Sequence, residues 1–334
     1  MPERAEAVRN RWSQPSVILV ATDLNDLDRL LPFALDEGTA TGAHLILMHV
    51  VSASESMAAD AAGMPYYDPG GAVDIAEKAL EPCCENARKR GIICDQVIRE
   101  GHPAQQILSA ARQFHAGRIL LGTRSRGKIS KLLIGSVAEQ VLRSVNIPVI
   151  TVGPEAHLTV SVNTPAKVVL HATTLRETSR PSAVLASRIA STMGASLILL
   201  HVLPPISDMQ RKGQPTGLDS AAMQELRKLA TEISRDVDVG VTPKIAHGNP
   251  SIEILAESAE HHACLMVLGA THRSALENLT RDRTIYKVLA HARCPVMTIR
   301  ETELEAGNRD QGTGLKAGTR DQGPGARQGV GNRG

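Results

Sequence analysis

Short runs of apolar residues recur along the chain without alternating apolar and polar positions. In the first half they cover 16–21, 45–51, 93–98, 118–122 and 147–152. Strands that are buried on both faces have this pattern, whereas half-buried strands alternate with a period of two. Stretches with helical patterns lie between them, at 25–42, about 72–90, 103–116 and 136–145. We therefore predict an α/β fold, in which right-handed crossovers build a parallel sheet covered by helices on both faces.

The same series of segments occurs twice. AHLILMHVV (43–51) returns as ASLILLHVL (195–203), and RILLGTRSR (118–126) returns as LMVLGATHR (265–273). The equivalent glycines Gly122 and Gly269 are 147 positions apart. Two repeats of this length indicate two domains rather than a solenoid.

The repeat also defines the segments outside the two domains. We predict domains over 14–154 and 165–301, and the Gly-rich composition of 302–334 predicts a disordered tail. The first copy is longer than the second by about five residues, and the extra residues fall in the Gly/Ala-rich stretch 53–72, which we interpret as a loop.

Composition excludes several functional classes. No apolar run approaches the roughly 20 residues that span a bilayer, and the N-terminus lacks the apolar segment of a secretory signal. The net charge is +2 and aromatic residues are 2% of the chain, which argues against a nucleic-acid surface. The five cysteines include no CxxC pair, as expected of a reduced, cytoplasmic protein.

Candidate binding residues of the first copy follow the ends of its predicted strands. Asp23 ends the first strand, Gly122 ends the fourth, and Gly135-Ser136 opens the last long helix. In an open parallel sheet, ligands bind beyond the carboxyl ends of the strands, where the strand order reverses. The free N–H groups and the dipole of a helix N-terminus favour an anion there.

These residues resemble those of the universal stress proteins, in a tandem arrangement. The resemblance implies two Rossmann-like, adenine nucleotide alpha hydrolase-like sandwiches, each with five parallel strands. It also implies binding of ATP, with Asp23 near the sugar or a Mg²⁺ ion, Val50 at the base, and the Gly-x2-Gly-x9-Gly-Ser/Thr pattern at the phosphates. The nucleotide-binding residues that the resemblance implies are Ala21, Thr22, Asp23, Val50, Gly122, Arg124, Ser125, Gly135, Ser136, Val137 and Ala138.

Both copies depart from the family pattern. In the first copy Ser125 stands at the second glycine, where its Cβ would crowd a phosphate. Arg124 and nearby cations either compensate by contacting phosphate oxygens or form a solvated turn. The second copy has Thr174 in place of the acid, and His272, Asp282 and Arg283 replace other matching residues. We interpret the second copy as structural, because a carboxylate at a helix start repels a phosphate.

Other chemistry-bearing residues have simpler interpretations. His49 and His201, at matching positions, are expected to be buried and hydrogen-bonded near strand ends. His261, His262 and Cys264 do not have a zinc-site spacing. Cys83 and Cys84 are expected to be structural thiols, since the sequence suggests no basic neighbour that would lower a thiol pKa.

Three functional hypotheses remain open. The chain is an ATP-binding stress-response regulator that changes its contacts with a regulatory protein partner, a nucleotide-free interaction scaffold, or a slow ATPase. No Walker motif or GxSxG elbow is present, so any hydrolysis is expected to be slow. The resemblance further implies pairing through the last strand of each copy, either in a homodimer or in an internal pseudo-dimer.

Overall fold

The computed structural model describes residues 10–59, 63–123, 134–156, 167–205, 217–235, 237–270 and 284–300. The α-helices of these residues are α1 Leu27–Thr41, α2 Pro69–Lys89, α3 Pro103–Gln113, α4 Ser136–Ser144, α5 Arg180–Thr192, α6 Gly217–Ile233, α7 Pro250–Glu260 and α8 Thr284–His291. The strands are β1 Val17–Thr22, β2 His44–Val51, β3 Met57–Ala59, β4 Pro65–Tyr67, β5 Cys94–Glu100, β6 Arg118–Gly122, β7 Val149–Val152, β8 Val168–Ala172, β9 Ser196–Leu203, β10 Val241–His247, β11 Leu265–Ala270 and β12 Val296–Arg300.

The long strands form one continuous ten-stranded sheet. Its first half has the order β7-β6-β1-β2-β5, and its second half repeats this order as β12-β11-β8-β9-β10. Pairing is parallel within each half. The two halves join through an antiparallel contact between β7 and β12, in which Ile150 lies opposite Met297. The predicted pair of five-stranded α/β sandwiches is thus confirmed, and the terminal strands pair within the chain.

Apolar layers cover both faces of the sheet, as the absence of alternation predicted. In β1, Ile18 and Val20 pack into the layer that contains residues of α1, α2, α5 and α6. Leu19 and Ala21 pack into the opposite layer, with residues of α3, α4, α7 and α8. Each layer runs across both copies, so the two repeats share their cores on either side of the β7–β12 junction.

The segment that we interpreted as a loop contains regular structure. Met57–Ala59 and Pro65–Tyr67 pair as a small antiparallel hairpin, and α2 already begins at Pro69. The carboxylate of Asp68 accepts a hydrogen bond from the Gly71 N–H at 2.9 Å, which caps the start of α2. The loop prediction was therefore wrong, because an N-cap Asp followed by Pro begins a helix despite the two glycines that come next.

The cysteines of α2 have a basic neighbour that we missed. Cys84 and Cys94 are buried, with their Sγ atoms 3.1 Å apart. Arg88, one helical turn after Cys84, donates a hydrogen bond to the Cys94 carbonyl at 2.9 Å. The hydrogen bond from the Cys94 thiol and the charge of Arg88 lower the pKa of Cys84. The i,i+4 spacing of Cys84 and Arg88 was the sequence signal for this contact.

The helices of the described residues are too short or too polar to cross a bilayer. None of them combines the length and the apolar character that a membrane-spanning helix needs.

Candidate nucleotide site

A cavity of about 340 Å³ opens at the carboxyl ends of β1, β2 and β6. Strand β1 lies between β2 and β6. The chain runs outward from β1 through β2 to β5 and then crosses back to β6 on the other side of β1, so the strand order reverses here. Crevices at such a reversal are where open α/β sheets bind ligands. The predicted residues that line the cavity are Ala21, Thr22, Asp23, Val50, Gly122, Gly135, Ser136 and Val137.

Of the other three predicted residues, only Ala138 is described, and it is not among the residues that line the cavity. Ala138 has a buried side chain that packs into the core, and only its backbone N–H belongs to the first turn of α4. Arg124 and Ser125 lie outside the described residues, as do His272, Asp282 and Arg283 of the second copy.

A tight turn after β1 presents two carboxylates to the cavity. Leu24 has a φ of 68°, a left-handed conformation that its N–H stabilises by donating to the Thr22 hydroxyl at 2.9 Å. Asp23 Oδ1 accepts the Asn25 N–H at 3.0 Å. The Thr22 hydroxyl donates to Asp26 Oδ1 at 2.5 Å, and Asp26 is the N-cap of α1. The turn fixes both acids against the end of the strand.

Asp26 is a buried acid that our sequence analysis missed. Only 3% of its surface is exposed. Burial raises the pKa of Asp26 to about 6, the nearby charge of Asp23 acts in the same direction, and the hydrogen bond from Thr22 opposes the shift. Its place before a helix was the only sequence signal, and N-cap aspartates are usually explained by capping alone.

Position 122 has to be a glycine because the carboxylate of Asp26 lies against it. A Cβ atom on Gly122 would lie 2.2 Å from Asp26 Oδ2, closer than any non-bonded contact. Gly135 also sits close to backbone, because its N–H donates to the Thr123 carbonyl at 2.7 Å and a Cβ would lie 3.0 Å from that oxygen. The two glycines bring the end of β6 and the start of α4 together.

We expect Gly122→Ala to destabilise the chain by about 1–3 kcal/mol, the usual cost of overpacking a site that cannot relax. The methyl group must displace Asp26, which Thr22 holds in place. Urea unfolding measures the loss, and Gly70→Ala is the control because its Cβ would meet its nearest atom at an ordinary 3.7 Å. In an Asp26→Ala background the substitution should cost much less; an equal cost in both backgrounds would contradict the assigned clash.

Hydrogen-bond donors for an anion line the cavity at the start of α4 and the end of β6. Gly135 is the N-cap of α4, and its carbonyl accepts from the Glu139 N–H at 2.9 Å. The preceding first-turn amides, those of Ser136, Val137 and Ala138, have no intrahelical acceptor. Within the described residues, the buried hydroxyl of Thr123 also lacks a hydrogen-bond partner and lines the cavity. Thr123, which we did not predict, adds a further group that could contact an anion.

The wall beside β2 is built around His49. Its Nδ1 donates to the Thr22 carbonyl at 2.9 Å, and its Nε2 lies 3.6 Å from Glu55 Oε1. Glu55 Oε2 accepts from both the N–H and the hydroxyl of Ser52, each at 2.7 Å. The predicted buried, hydrogen-bonded His49 is confirmed. The contribution of Ser52 and Glu55 was missed because Glu55 lies in the segment interpreted as a loop and Ser52 directly precedes it.

The described lining is acidic. It contains the carboxyl groups of Asp23, Asp26 and Glu55, and the described part of the cavity has no Lys or Arg among its lining residues. Carboxylate and hydroxyl oxygens suit Mg²⁺, and a bound magnesium ion would offset their repulsion of phosphate oxygens. The residues that would hold the ion are Asp23 and Asp26.

Hydroxyl groups replace the acids in the second copy. The Thr173 hydroxyl lies 3.1 Å from that of Ser179, and the Thr174 hydroxyl donates to the same Ser179 oxygen at 3.4 Å. His201 repeats the His49 contact, with Nδ1 donating to the Thr173 carbonyl at 2.8 Å, but it is only half-buried, so the expected burial of its side chain was wrong. The second copy thus keeps the turn and the histidine but has no carboxylate at the position of Asp23.

A cluster of acidic side chains around His261 in the second copy surrounds the ammonium group of a lysine. His261 lies with Glu257 and Glu260, a group whose spacing could hold a metal ion. The Lys244 ammonium lies among them, 2.6 Å from Glu257 Oε2 and 3.0 Å from His261 Nε2. The cluster is therefore explained as a salt-bridge network, and Cys264 lies apart from it, directly before β11.

The chain matches known proteins along most of its length. The family model described as the universal stress protein family matches residues 16–153 and again 165–300. A universal stress protein of Mycolicibacterium smegmatis is 24% identical over 299 residues, 85% of this chain and 96% of that protein. One from Thermus aquaticus is 30% identical over 142 residues, 40% of this chain and 96% of that protein.

A solved structure shares the whole tandem fold. The crystal structure of a universal stress protein from Archaeoglobus fulgidus aligns with a TM-score of 0.65 and 22% identity, over 87% of this chain and 98% of that one. At this identity the likeness concerns the fold. The two matches of the family model supply the conclusion that this chain belongs to the universal stress protein family.

Proposed function

We propose that the first copy binds an adenine nucleotide, ATP together with Mg²⁺, and that the chain acts as a nucleotide-dependent regulator in the stress response. One observation carries the proposal: the Asp23 carboxylate, the Gly122 backbone and the first-turn amides of α4 meet at one cavity where the strand order reverses. Membership of the family supports it. Bound nucleotide would order the 122–136 segment and change contacts with a regulatory protein partner, without a chemical step.

The site residues have separate roles in this proposal. The backbone at Val50 faces the base, Asp23 binds the sugar or the magnesium ion, and the amides of Ser136 and Val137 donate to phosphate oxygens. Each charge at a helix terminus contributes only about 0.3–1 kcal/mol, so several donors must act together. The basic residues of 124–133 would supply the positive charge that the described lining lacks.

We expect the full chain to bind Mg-ATP with a dissociation constant below about 1 mM, at one site per chain. Asp23→Asn should weaken binding about tenfold, because a charge-assisted contact contributes about 1.5–3 kcal/mol. Isothermal titration calorimetry measures both values. The matched controls are Asp28→Asn, an exposed acid in the first turn of α1, and Thr174→Ala, at the equivalent position of the second copy. Both should bind like the wild type.

The second candidate is a nucleotide-free interaction scaffold of the same fold. It is favoured by the three carboxyl groups of the described lining, which repel a polyphosphate in the absence of a cation. No heat of binding at millimolar Mg-ATP, together with no adenine nucleotide released from the purified protein, would establish the scaffold and remove the nucleotide proposal.

A further inference from the structure

The second copy contacts both ends of α4. Tyr286 of α8 is 5% exposed, and its hydroxyl accepts a hydrogen bond from the Ile134 backbone N–H at 3.3 Å. Ile134 directly precedes Gly135, the N-cap residue at which α4 opens into the cavity. A side chain of the second copy therefore fixes the backbone one residue before the phosphate end of the helix.

The other end of α4 is held by Arg300, the last residue of β12. Its guanidinium is buried and donates to the carbonyl of Leu142 at 3.3 Å and to that of Arg143. The carbonyls of the last helical turn have no intrahelical donors, and a cation there interacts favourably with the helix dipole. One helix of the first copy is thus capped by a charged residue of the second.

The equivalent positions of the first copy do not carry these side chains. The residues 147 positions before Tyr286 and Arg300 are Glu139 and Gly153. Glu139 pairs with Arg143 on its own helix, and Gly153 has no side chain with which to cap α8. The two repeats therefore differ at these positions, since Glu139 and Gly153 offer neither the phenol nor the guanidinium with which the second copy contacts α4.

We propose that Tyr286 and Arg300 are positioning residues of the nucleotide site in the first copy. The inference rests on the proposed function and extends it, because it gives the second copy a part in binding. Backbone amides that are already oriented toward a phosphate bind it without a further loss of conformational entropy. By holding both ends of α4, the second copy keeps the Ser136 and Val137 amides directed into the cavity.

The experiment uses the full chain and the variants Tyr286→Phe, Arg300→Gln and Arg300→Lys. Tyr286→Phe removes one hydroxyl and keeps the ring that packs in the core. Hydrogen exchange of the nucleotide-free protein, followed by mass spectrometry or NMR, should show exchange at Ile134 about tenfold faster than in the wild type, with the β1 amides unchanged. Calorimetry should show Mg-ATP binding weakened about three- to tenfold in Tyr286→Phe and Arg300→Gln, with Arg300→Lys restoring much of the affinity.

Tyr67→Phe is the matched control, since Tyr67 is 60% exposed on the β3–β4 hairpin and should change neither measurement. Unchanged Ile134 exchange in Tyr286→Phe would overturn the proposal, and so would faster exchange with wild-type affinity for Mg-ATP. If the wild-type chain itself binds no Mg-ATP, the proposed function fails and this role fails with it. That outcome is recognised because Tyr67→Phe then binds no Mg-ATP either.

Discussion

Glu37→Gln is expected to destabilise the chain by about 3–5 kcal/mol, the cost of removing one partner of a buried ion pair. Arg118 is 1% exposed and Glu37 is 2% exposed. The Arg118 guanidinium donates to Glu37 Oε2 and, at 2.7 Å, to the Trp12 carbonyl. Without the carboxylate, a positive charge remains buried and uncompensated. Urea unfolding at neutral pH measures the loss.

The repeat supplies the control for this experiment. Leu265 occupies the position of Arg118 in the second copy, and Ile189 occupies that of Glu37 when the helices are aligned on the glycines Gly42 and Gly194. Both are buried in one apolar layer. The double variant Glu37→Ile/Arg118→Leu should therefore unfold within about 1–2 kcal/mol of the wild type, allowing for the lost bond to Trp12. A single variant as stable as the double one would contradict the buried pair.

Two buried groups are expected to give opposite pH dependences of stability below pH 6.5. Asp26 has its pKa raised from 3.8 to about 6, so its contribution is fully present below pH 3.8 and is lost as the pH rises through 6. His171 is fully buried, and burial lowers its pKa from 6.5 to about 4. Its contribution is present above pH 6.5 and is lost as the pH falls toward 4. In the wild type the two effects largely cancel.

Single substitutions should separate these effects. In Asp26→Asn only the effect of His171 remains. The free energy of unfolding should therefore fall by about 3 kcal/mol relative to the wild type as the pH is lowered from 6.5 to 4. His171→Val, which introduces the residue found at the equivalent Val20, should instead gain about as much relative to the wild type over the same interval. Urea midpoints measured at several pH values test both signs. Parallel curves for all three proteins would refute the two shifts.

The fold, and the residues at the strand ends that line the cavity, could be predicted because both depend on local sequence patterns. Runs without alternation identify strands buried on both faces, and the repeat identifies two domains. Residues that follow such strands must meet at one edge of a parallel sheet, which is why Asp23, Gly122 and Gly135 were found from their positions alone.

The parts that escaped prediction depend on contacts between distant segments. Asp26 looks like an ordinary N-cap until the fold brings it against Gly122, and Glu37 and Arg118 are 81 positions apart. Tyr286 contacts Ile134 across 152 positions and two domains. Pattern analysis weighs a residue against its neighbours in the chain, so it cannot determine which distant group a buried polar atom will contact.

The central position of β7 and β12 has a consequence for aggregation. The outermost strands of the sheet are β5, which carries Asp95, Arg99 and Glu100, and β10, which carries Pro243 and Lys244. Charges and proline on such strands hinder the addition of strands from another molecule. The apolar strands VITV and VMTIR instead protect each other in the middle. Cleavage between the repeats, followed by their separation, would expose β7 in one fragment and β12 in the other as unpaired edge strands. Such edges pair with strands of other molecules and promote fibrillar association.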